Sequence, residues 1–277
     1  MGLRIAVGSW SLGAGFSGLM AGEIRRQLRP DQTLVEGLIP ARTPDEFQET
    51  RWLALLQEPK PHALLGICCR PGPRVIAACA AARIPVVLID EEAEGASTVS
   101  GDNFAGGRLA GEHLARVGRK SLAIVSGELH VNGGYNALQR AKGFAKALAD
   151  LGLLFELDEA VQVVEYTHRD GVQAMKRILG ARRKLDGIFC AAGDATATGL
   201  LAEAQSQGVK VPEQIAVVGY DDSPLAAISR PPLTTVRQSA EKMAAEALKL
   251  ASLATAEILV RPRKVLLPPE LVVRRSA

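Results

Sequence analysis

The 277-residue sequence holds only four cysteines and four histidines, and neither set has the spacing of a metal site or a disulfide framework. Cys68 and Cys69 adjoin inside an apolar, strand-like run, with Cys79 and Cys190 elsewhere, a pattern that reads as reduced, buried thiols. His62, His113, His130 and His168 form no H-E-x-x-H pair, so no metal is expected and solvated or helix-capping roles are assigned to them. There is no G-x-S-x-G elbow and no Walker loop, which removes two common signatures of hydrolases and nucleoside triphosphatases. No apolar run is long enough to span a membrane, and Met1–Val7 reads as a first core strand in place of a signal peptide. A cytoplasmic protein with no membrane partner is the expectation. Net charge is only +3, with Arg and Lys scattered, which argues against nucleic-acid binding by these residues themselves. Neither a repeat of solenoid period nor a low-complexity tract is present.

What is present is ordinary globular material, 47% hydrophobic and 23% charged, in which β-rich runs alternate with helical patterns. Strands are expected at Arg4–Val7, Leu34–Leu38, Ala63–Cys68, Val86–Ile89, Leu122–Val125, Val161–Val164, Gly187–Cys190 and Ile215–Gly219. Helices are expected at Phe47–Gln57, Arg74–Ala82, Gly106–Arg116, Ala137–Leu151, Gly171–Leu179, Thr196–Gln207 and Ser239–Leu253. Several strands are continuous apolar runs, as parallel strands covered on both faces should be, so the fold class is α/β built from βαβ units. Eight such strands could close into a barrel. The polar stretch Glu91–Ser100 and the loss of alternation after Tyr220 favour two doubly wound sheets instead.

Gly13-Ala14-Gly15-Phe16-Ser17-Gly18 is a literal G-x-G-x-x-G ahead of a helix. A dinucleotide site needs its first glycine at the strand end, and here Ser9-Trp10-Ser11-Leu12 intervene. A flexible, cleft-lining loop is the preferred reading, and no cofactor is expected. Open α/β sheets bind ligands beyond the carboxyl ends of their strands. Trp10, Asp90, Tyr166, Gly193-Asp194 and Asp221-Asp222 all sit there, and Arg140 lies in the helix entered after Leu122–Val125. Taken singly, each could be a helix cap, a loop ion pair or a buried ring. Together, carboxylates, a guanidinium and flat rings suit a polyhydroxylated or similarly polar ligand. Arg116…Gly118-Arg119-Lys120 reads as a solvated helix end.

Several stretches resemble the lac/galactose repressor (LacI/GalR) family. They are Thr98–Gly107 followed by Glu112-His113-Leu114, Arg140-Ala141-Lys142-Gly143-Phe144, and Val218-Gly219-Tyr220-Asp221-Asp222-Ser223. The runs Pro231-Pro232-Leu233-Thr234-Thr235-Val236-Arg237-Gln238 and Leu267–Arg275 complete the likeness, which covers nearly the whole chain. The resemblance implies the periplasmic-binding-protein-like fold of the first type, with two similar lobes, three crossovers near Gly101, Arg237 and Arg263, and a ligand cleft between the lobes. It places residues 1–101 and 238–262 in an N-terminal lobe and 102–237 and 263–277 in a C-terminal lobe. It further implies that Asp90, Arg140, Tyr166, Asp221 and Gln238 line an effector cleft with Phe16, joined by Trp10 and Asp194 from the strand-end reading.

Two departures bear on the effector. Glu91 stands where the family often has Arg, and Gly193 where it often has Asn. The function implied is the effector-binding core of a transcriptional regulator, a homodimer that performs no catalysis and binds a small polar, sugar-like metabolite. DNA would be reached only through a helix-turn-helix head, which these residues do not contain. A transport receptor and, more remotely, an NAD-dependent oxidoreductase are the alternatives.

Overall fold

The computed structural model describes the chain except residues 1, 14, 41, 42, 44, 58, 128, 130–134, 154, 156–159, 164, 182, 183 and 256–260, and the side chain of residue 135. In chain order the elements begin β1 (Arg4–Ser9), α1 (Gly15–Gln27), β2 (Thr33–Leu38), α2 (Asp45–Ala54), β3 (Ala63–Ile67), α3 (Pro73–Ala81), β4 (Val86–Ile89) and β5 (Ser97–Gly101). They continue with α4 (Asn103–Arg116), β6 (Leu122–Ser126), α5 (Tyr135–Asp150), β7 (Val161–Gln162), α6 (His168–Gly180), β8 (Gly187–Cys190), α7 (Asp194–Ser206) and β9 (Ala216–Asp221). The last are α8 (Pro224–Ile228), β10 (Thr234–Arg237), α9 (Ala240–Thr255), β11 (Lys264–Leu267) and β12 (Glu270–Val272).

The chain divides into two compact units, Met1–Gly101 with Ser239–Leu267, and Asp102–Gln238 with Pro268–Ala277. Each holds one six-stranded sheet, so a single closed barrel is excluded. The third crossing falls at Leu267–Pro268, not near Arg263, because Lys264–Leu267 forms a strand paired parallel to β5 and so belongs to the first unit.

In the first unit the strand order is β11-β5-β4-β3-β1-β2, all parallel. Alternate residues go to opposite faces, as the pleat requires. Ile5, Val7, Leu65 and Ile89 pack with Met20 and Ile24 of α1 and Met243 of α9. Ala6, Leu64 and Leu88 pack on the other face with Trp52 of α2 and with Val75 and Cys79 of α3. The Trp52 ring lies over two glycines. A Cβ on Gly8 would fall 2.3 Å from it, and one on Gly66 3.3 Å.

The second unit has the order β12-β10-β9-β8-β6-β7, parallel except for β12, which runs antiparallel to β10. Helices α6 and α7 cover one face, and α4 and α5 the other. Both helix pairs meet through glycines. A Cβ on Gly107 would lie 2.0 Å from the Arg140 carbonyl oxygen, and one on Gly143 2.0 Å from that of Phe104. Gly171 and Gly199 make the same reciprocal approach to the Thr196 and His168 carbonyls, each at 1.9 Å. The glycine of the Arg140–Phe144 motif is therefore a helix-contact residue.

The strands at Val86–Ile89 and Gly187–Cys190 are those expected. Others shift by a residue or two, notably β9, which runs on to include Asp221. Four strands were not foreseen: β5, within the polar stretch, and β10, β11 and β12. Residue 164, the end of one expected strand, lies outside the described residues, where Val161–Gln162 alone forms β7. All four cysteines are free thiols. Cys68 packs against the α1/α9 core and Cys69 within the Trp52 core, on opposite faces of the sheet.

Candidate functional site

In both sheets the order reverses beside the first strand of the unit, at β1/β3 and at β6/β8. In such sheets the crevice outside the carboxyl ends at the reversal is the natural ligand position. The strand ends of each unit therefore define where its polar residues matter.

In the second unit these residues fall into several hydrogen-bonded groups. Arg140 on α5 is buried, and its guanidinium lies 3.8 Å over the Tyr220 ring. Its Nε donates to Asn103 Oδ1 at 2.6 Å and its Nη1 to the Ala191 carbonyl at 2.9 Å. Asn103, the first residue of α4, also accepts from the Tyr220 hydroxyl and donates to Asn136. The flat cation is thus sandwiched between a ring face and fixed acceptors, which offsets the cost of burying it. Sequence reading missed Asn103 and Tyr220. A buried polar residue beginning a helix could have flagged Asn103, but only the fold places it under Arg140.

Asp221 closes β9 with a left-handed backbone, φ 101°, followed by Asp222 at φ 53°. Such a conformation in two successive non-glycine residues is held only by surrounding contacts. Asp221 Oδ1 accepts from Gln238 Nε2 at 3.0 Å. Asp222 accepts from Arg237 Nε at 2.7 Å and Arg274 Nη2 at 2.6 Å. Gln238 is 3% exposed, and its Oε1 has no hydrogen-bond partner among the described residues. The amide orientation follows from chemistry, because an ionised carboxylate only accepts and so faces the NH₂ group.

Asp194 turns inward. It is 1% exposed, and its Oδ1 accepts from the Thr235 hydroxyl while its Oδ2 accepts from the Ser223 N–H, both at 2.7 Å. Burial, then the nearby Asp221 charge, pushes its pKa up to about 7. The preceding Gly193 has φ 93°, and a Cβ there would meet Asp221 Oδ2 at 2.7 Å, so glycine suits this position on two counts. Tyr166 has φ 58° and an exposed ring, with its hydroxyl seated over Gly127 at the end of β6.

In the first unit Trp10 follows β1 and packs partly buried beside the Trp52 core, while Phe16 on α1 packs against the α1/α9 core. Asp90, φ 59° and 4% exposed, follows β4, and Glu91 beside it is also buried. Burial, reinforced by Asp90, raises the Glu91 pKa to about 7 against an opposing pull from Arg70. Burial, then the Asp90 charge, pushes the Cys68 thiol well up, making it a poor nucleophile.

Two expectations change. His113 is neither solvated nor capping. It is buried on α4, its Nε2 has no partner among the described residues, and burial lowers its pKa despite a hydrogen bond with the Ala277 backbone. His130 lies outside the described residues. Arg119, expected to be solvated, donates to the carbonyls of Pro212 and Glu213. Around Gly13–Gly18, β1 ends at Ser9 and α1 starts only at Gly15, so no glycine stands at the strand end to receive a pyrophosphate.

The periplasmic binding protein-like domain family matches residues 112–277. The regulator DegA of Bacillus subtilis is 28% identical over 263 residues, which cover 92% of this chain and 76% of DegA. CelR of Thermobifida fusca is 34% identical over 184 residues, 66% of this chain but only 52% of CelR. A solved CelR–cellobiose complex superposes with a TM-score of 0.83 at 25% identity, covering 99% of this chain and 84% of that one. The matched relatives are transcriptional regulators and not enzymes, which sets the dinucleotide-enzyme reading aside. No described helix is long and apolar enough to cross a membrane. This chain belongs to the periplasmic binding protein-like domain family, among the effector-binding cores of LacI-type regulators.

Proposed function

We propose that the chain is the effector-binding, dimerising core of a transcriptional regulator and takes a small polar, sugar-like metabolite at the strand ends of its two units. Trp10, Phe16 and Asp90 would contact it from the first unit, and Arg140, Tyr166, Asp221 and Gln238 from the second. Asp194, with both oxygens engaged internally, would position Asp221 and the Ser223 turn. The observation that carries this reading is the Asp221–Gln238 pair, a buried amide held by a carboxylate with its own oxygen still unsatisfied. A buried acceptor without a donor is costly, and a ligand hydroxyl would relieve it. The cellobiose in the CelR complex supports a carbohydrate effector. DNA would be read by a head domain outside these residues, and the effector would act by binding one arrangement of the core better than another.

A thermal-shift search with sugars tests the site. Once a stabilising sugar is found, Asp221→Ala should abolish its shift while changing the ligand-free melt far less. The lost hydrogen bond should cost about 1.5–3 kcal/mol of binding. Undiminished binding by Asp221→Ala would mean that the site lies elsewhere.

A homodimer in solution is part of the same reading. Helix α3 leaves Ala77, Ala80 and Ala81 exposed, a small-residue face on which a second copy could pack as an isologous pair. Light scattering should give the mass of two chains at tens of micromolar, and a monomer mass there would refute a stable dimer.

A further inference from the structure

The turn that closes β9 is held in an unfavourable shape. Asp221 and Asp222 both have left-handed backbones, which a Cβ disfavours and which persist only where the surroundings enforce them. The β9–β10 register sets Asp221 opposite Arg237. Yet the Asp221 carboxylate accepts from Gln238, one residue further on, and it is Asp222 that takes Arg237. The left-handed turn thus sends two neighbouring carboxylates to different donors. What holds it is at Asp222, whose side chain is 8% exposed and clamped on both oxygens. Oδ2 accepts from Arg237 Nε at 2.7 Å and Oδ1 from Arg274 Nη2 at 2.6 Å.

Exposed ion pairs contribute little, because water screens them and two long side chains must be ordered. Arg274 escapes most of that discount, since its side chain is only 20% exposed and other bonds fix its place. Its Nη1 donates to the Leu233 carbonyl at 2.8 Å and its backbone N–H to the Thr234 hydroxyl at 2.9 Å. Arg237 is 45% exposed, with Glu270 3.5 Å from its Nη1, and is the weaker arm.

We propose that Asp222, held by Arg237 and Arg274, is the positioning residue that aims the Asp221 carboxylate at Gln238. This rests on the reading that Asp221 and Gln238 belong to the effector site. Both Asp222 oxygens are engaged, so it acts through Asp221 and not on the ligand. Arg237 stands two residues before Ser239, where the chain passes to the first unit, and Arg274 follows Pro268, where it has returned. A residue near the end of the chain therefore takes part in the site, and a displacement of either segment reaches Asp221 through the clamp.

The decisive test needs no ligand. It follows the side-chain amide signal of Gln238 in the ¹⁵N-labelled full chain, identified by its loss in Gln238→Leu. Asp221→Ala marks the position which that signal takes once the pair is broken. Asp222→Ala, and separately Arg237→Met combined with Arg274→Met, should carry the signal most of the way there. The methionines keep the aliphatic stems while removing both donors. Asp222→Asn retains an accepting oxygen in a residue that tolerates a left-handed backbone, and should bring the signal part of the way back. Should Asp222→Ala fail to fold, the double arginine variant decides. A signal left at its parental position overturns the proposal, and a lowered melting temperature alone would make the clamp a mere tether for the tail. Calorimetry with cellobiose then checks the underlying reading, since Asp221→Ala and Asp222→Ala should each weaken it about tenfold or more, the worth of a charged hydrogen bond. Cellobiose bound equally by the parent and both variants, with the Gln238 signal displaced, would place the effector site elsewhere and leave the positioning role intact.

Discussion

The two units use glycine for different ends. In the first, Gly8 clears space on the sheet for a side chain, the ring of Trp52. In the second, Gly107, Gly143, Gly171 and Gly199 let helix backbones touch, each facing a carbonyl oxygen of the opposite helix. A side chain can be exchanged or rotated, whereas a carbonyl in a helix cannot. The second unit's core is therefore less able to relax than the first, and it is the unit in which Arg140, Asn103 and Tyr220 are held together by hydrogen bonds and a ring contact. Rigid backbone under Arg140 and Asn103 keeps their geometry within the tolerance that recognition needs.

The sharpest way to break this comparison is to add one methyl group on each side. Gly107→Ala forces a carbon against a helix carbonyl and should cost about 3 kcal/mol or more, the upper end for overpacking. Gly8→Ala should cost less, about 1–3 kcal/mol, and part of that should return when Trp52→Leu is added. Urea denaturation of the four proteins and the double mutant gives the coupling directly. Strict additivity of Gly8→Ala with Trp52→Leu would show that the ring is not what the glycine accommodates.

A smaller effect probes the polar assembly. Asn103→Ala leaves the Arg140 Nε without its acceptor and should destabilise the second unit by about 1–3 kcal/mol. Asn103→Asp, which keeps an acceptor there, should retain most of the stability. Equal losses in the two variants would mean that helix packing, not the hydrogen bond, is what Asn103 supplies.

The remaining effects are in pH. Glu91 in the first unit has a folded pKa near 7 against an ordinary value of 4.5, so the native state holds a proton that the unfolded chain has released. Its contribution is full at low pH and is lost as pH rises through that window. Relative to Glu91→Gln, the parent should lose melting temperature between about pH 4.5 and 7. His113 in the second unit works in the other direction. Its pKa is lowered from 6.5, so its contribution is present above that value and lost as pH falls below it, and His113→Gln should flatten the acid side. Melting curves parallel to the parent's across pH would refute either assignment.

Much of this was legible in residue order, and the exceptions have physical reasons. Val86–Ile89 and Gly187–Cys190 are uninterrupted apolar runs at the centre of parallel sheets, where no other element fits. Strand β5 is Ser-Thr-Val-Ser-Gly, polar by composition, yet Ser97 and Thr98 are buried in the sheet. The strands β10, β11 and β12 are only three or four residues long, and β11 and β12 pair with strands far away in sequence, so local pattern carries little sign of them. At the site, the strand-end rule located Asp90, Asp194 and Asp221 but was blind to direction. Asp194 points into the unit because Thr235 and Ser223, which are remote in sequence, supply its donors. His113 sits beneath the last residues of the chain, and composition alone cannot foretell such a lid.

The placement of the final ten residues bears on how the molecule is made. Ser276 is fully buried, accepting from the Thr234 N–H and donating to the Val217 carbonyl, and Arg274 reaches Asp222. The first unit likewise awaits α9 and β11 to complete its sheet and cover. On a ribosome, where domains ordinarily fold in order of emergence, neither unit can finish before the other has been almost wholly translated. The β5 edge of the first sheet stays open from its synthesis until β11 emerges, and the β10 edge of the second until β12 follows. The nascent chain should therefore depend on chaperones to an extent that the stability of the finished protein does not reveal.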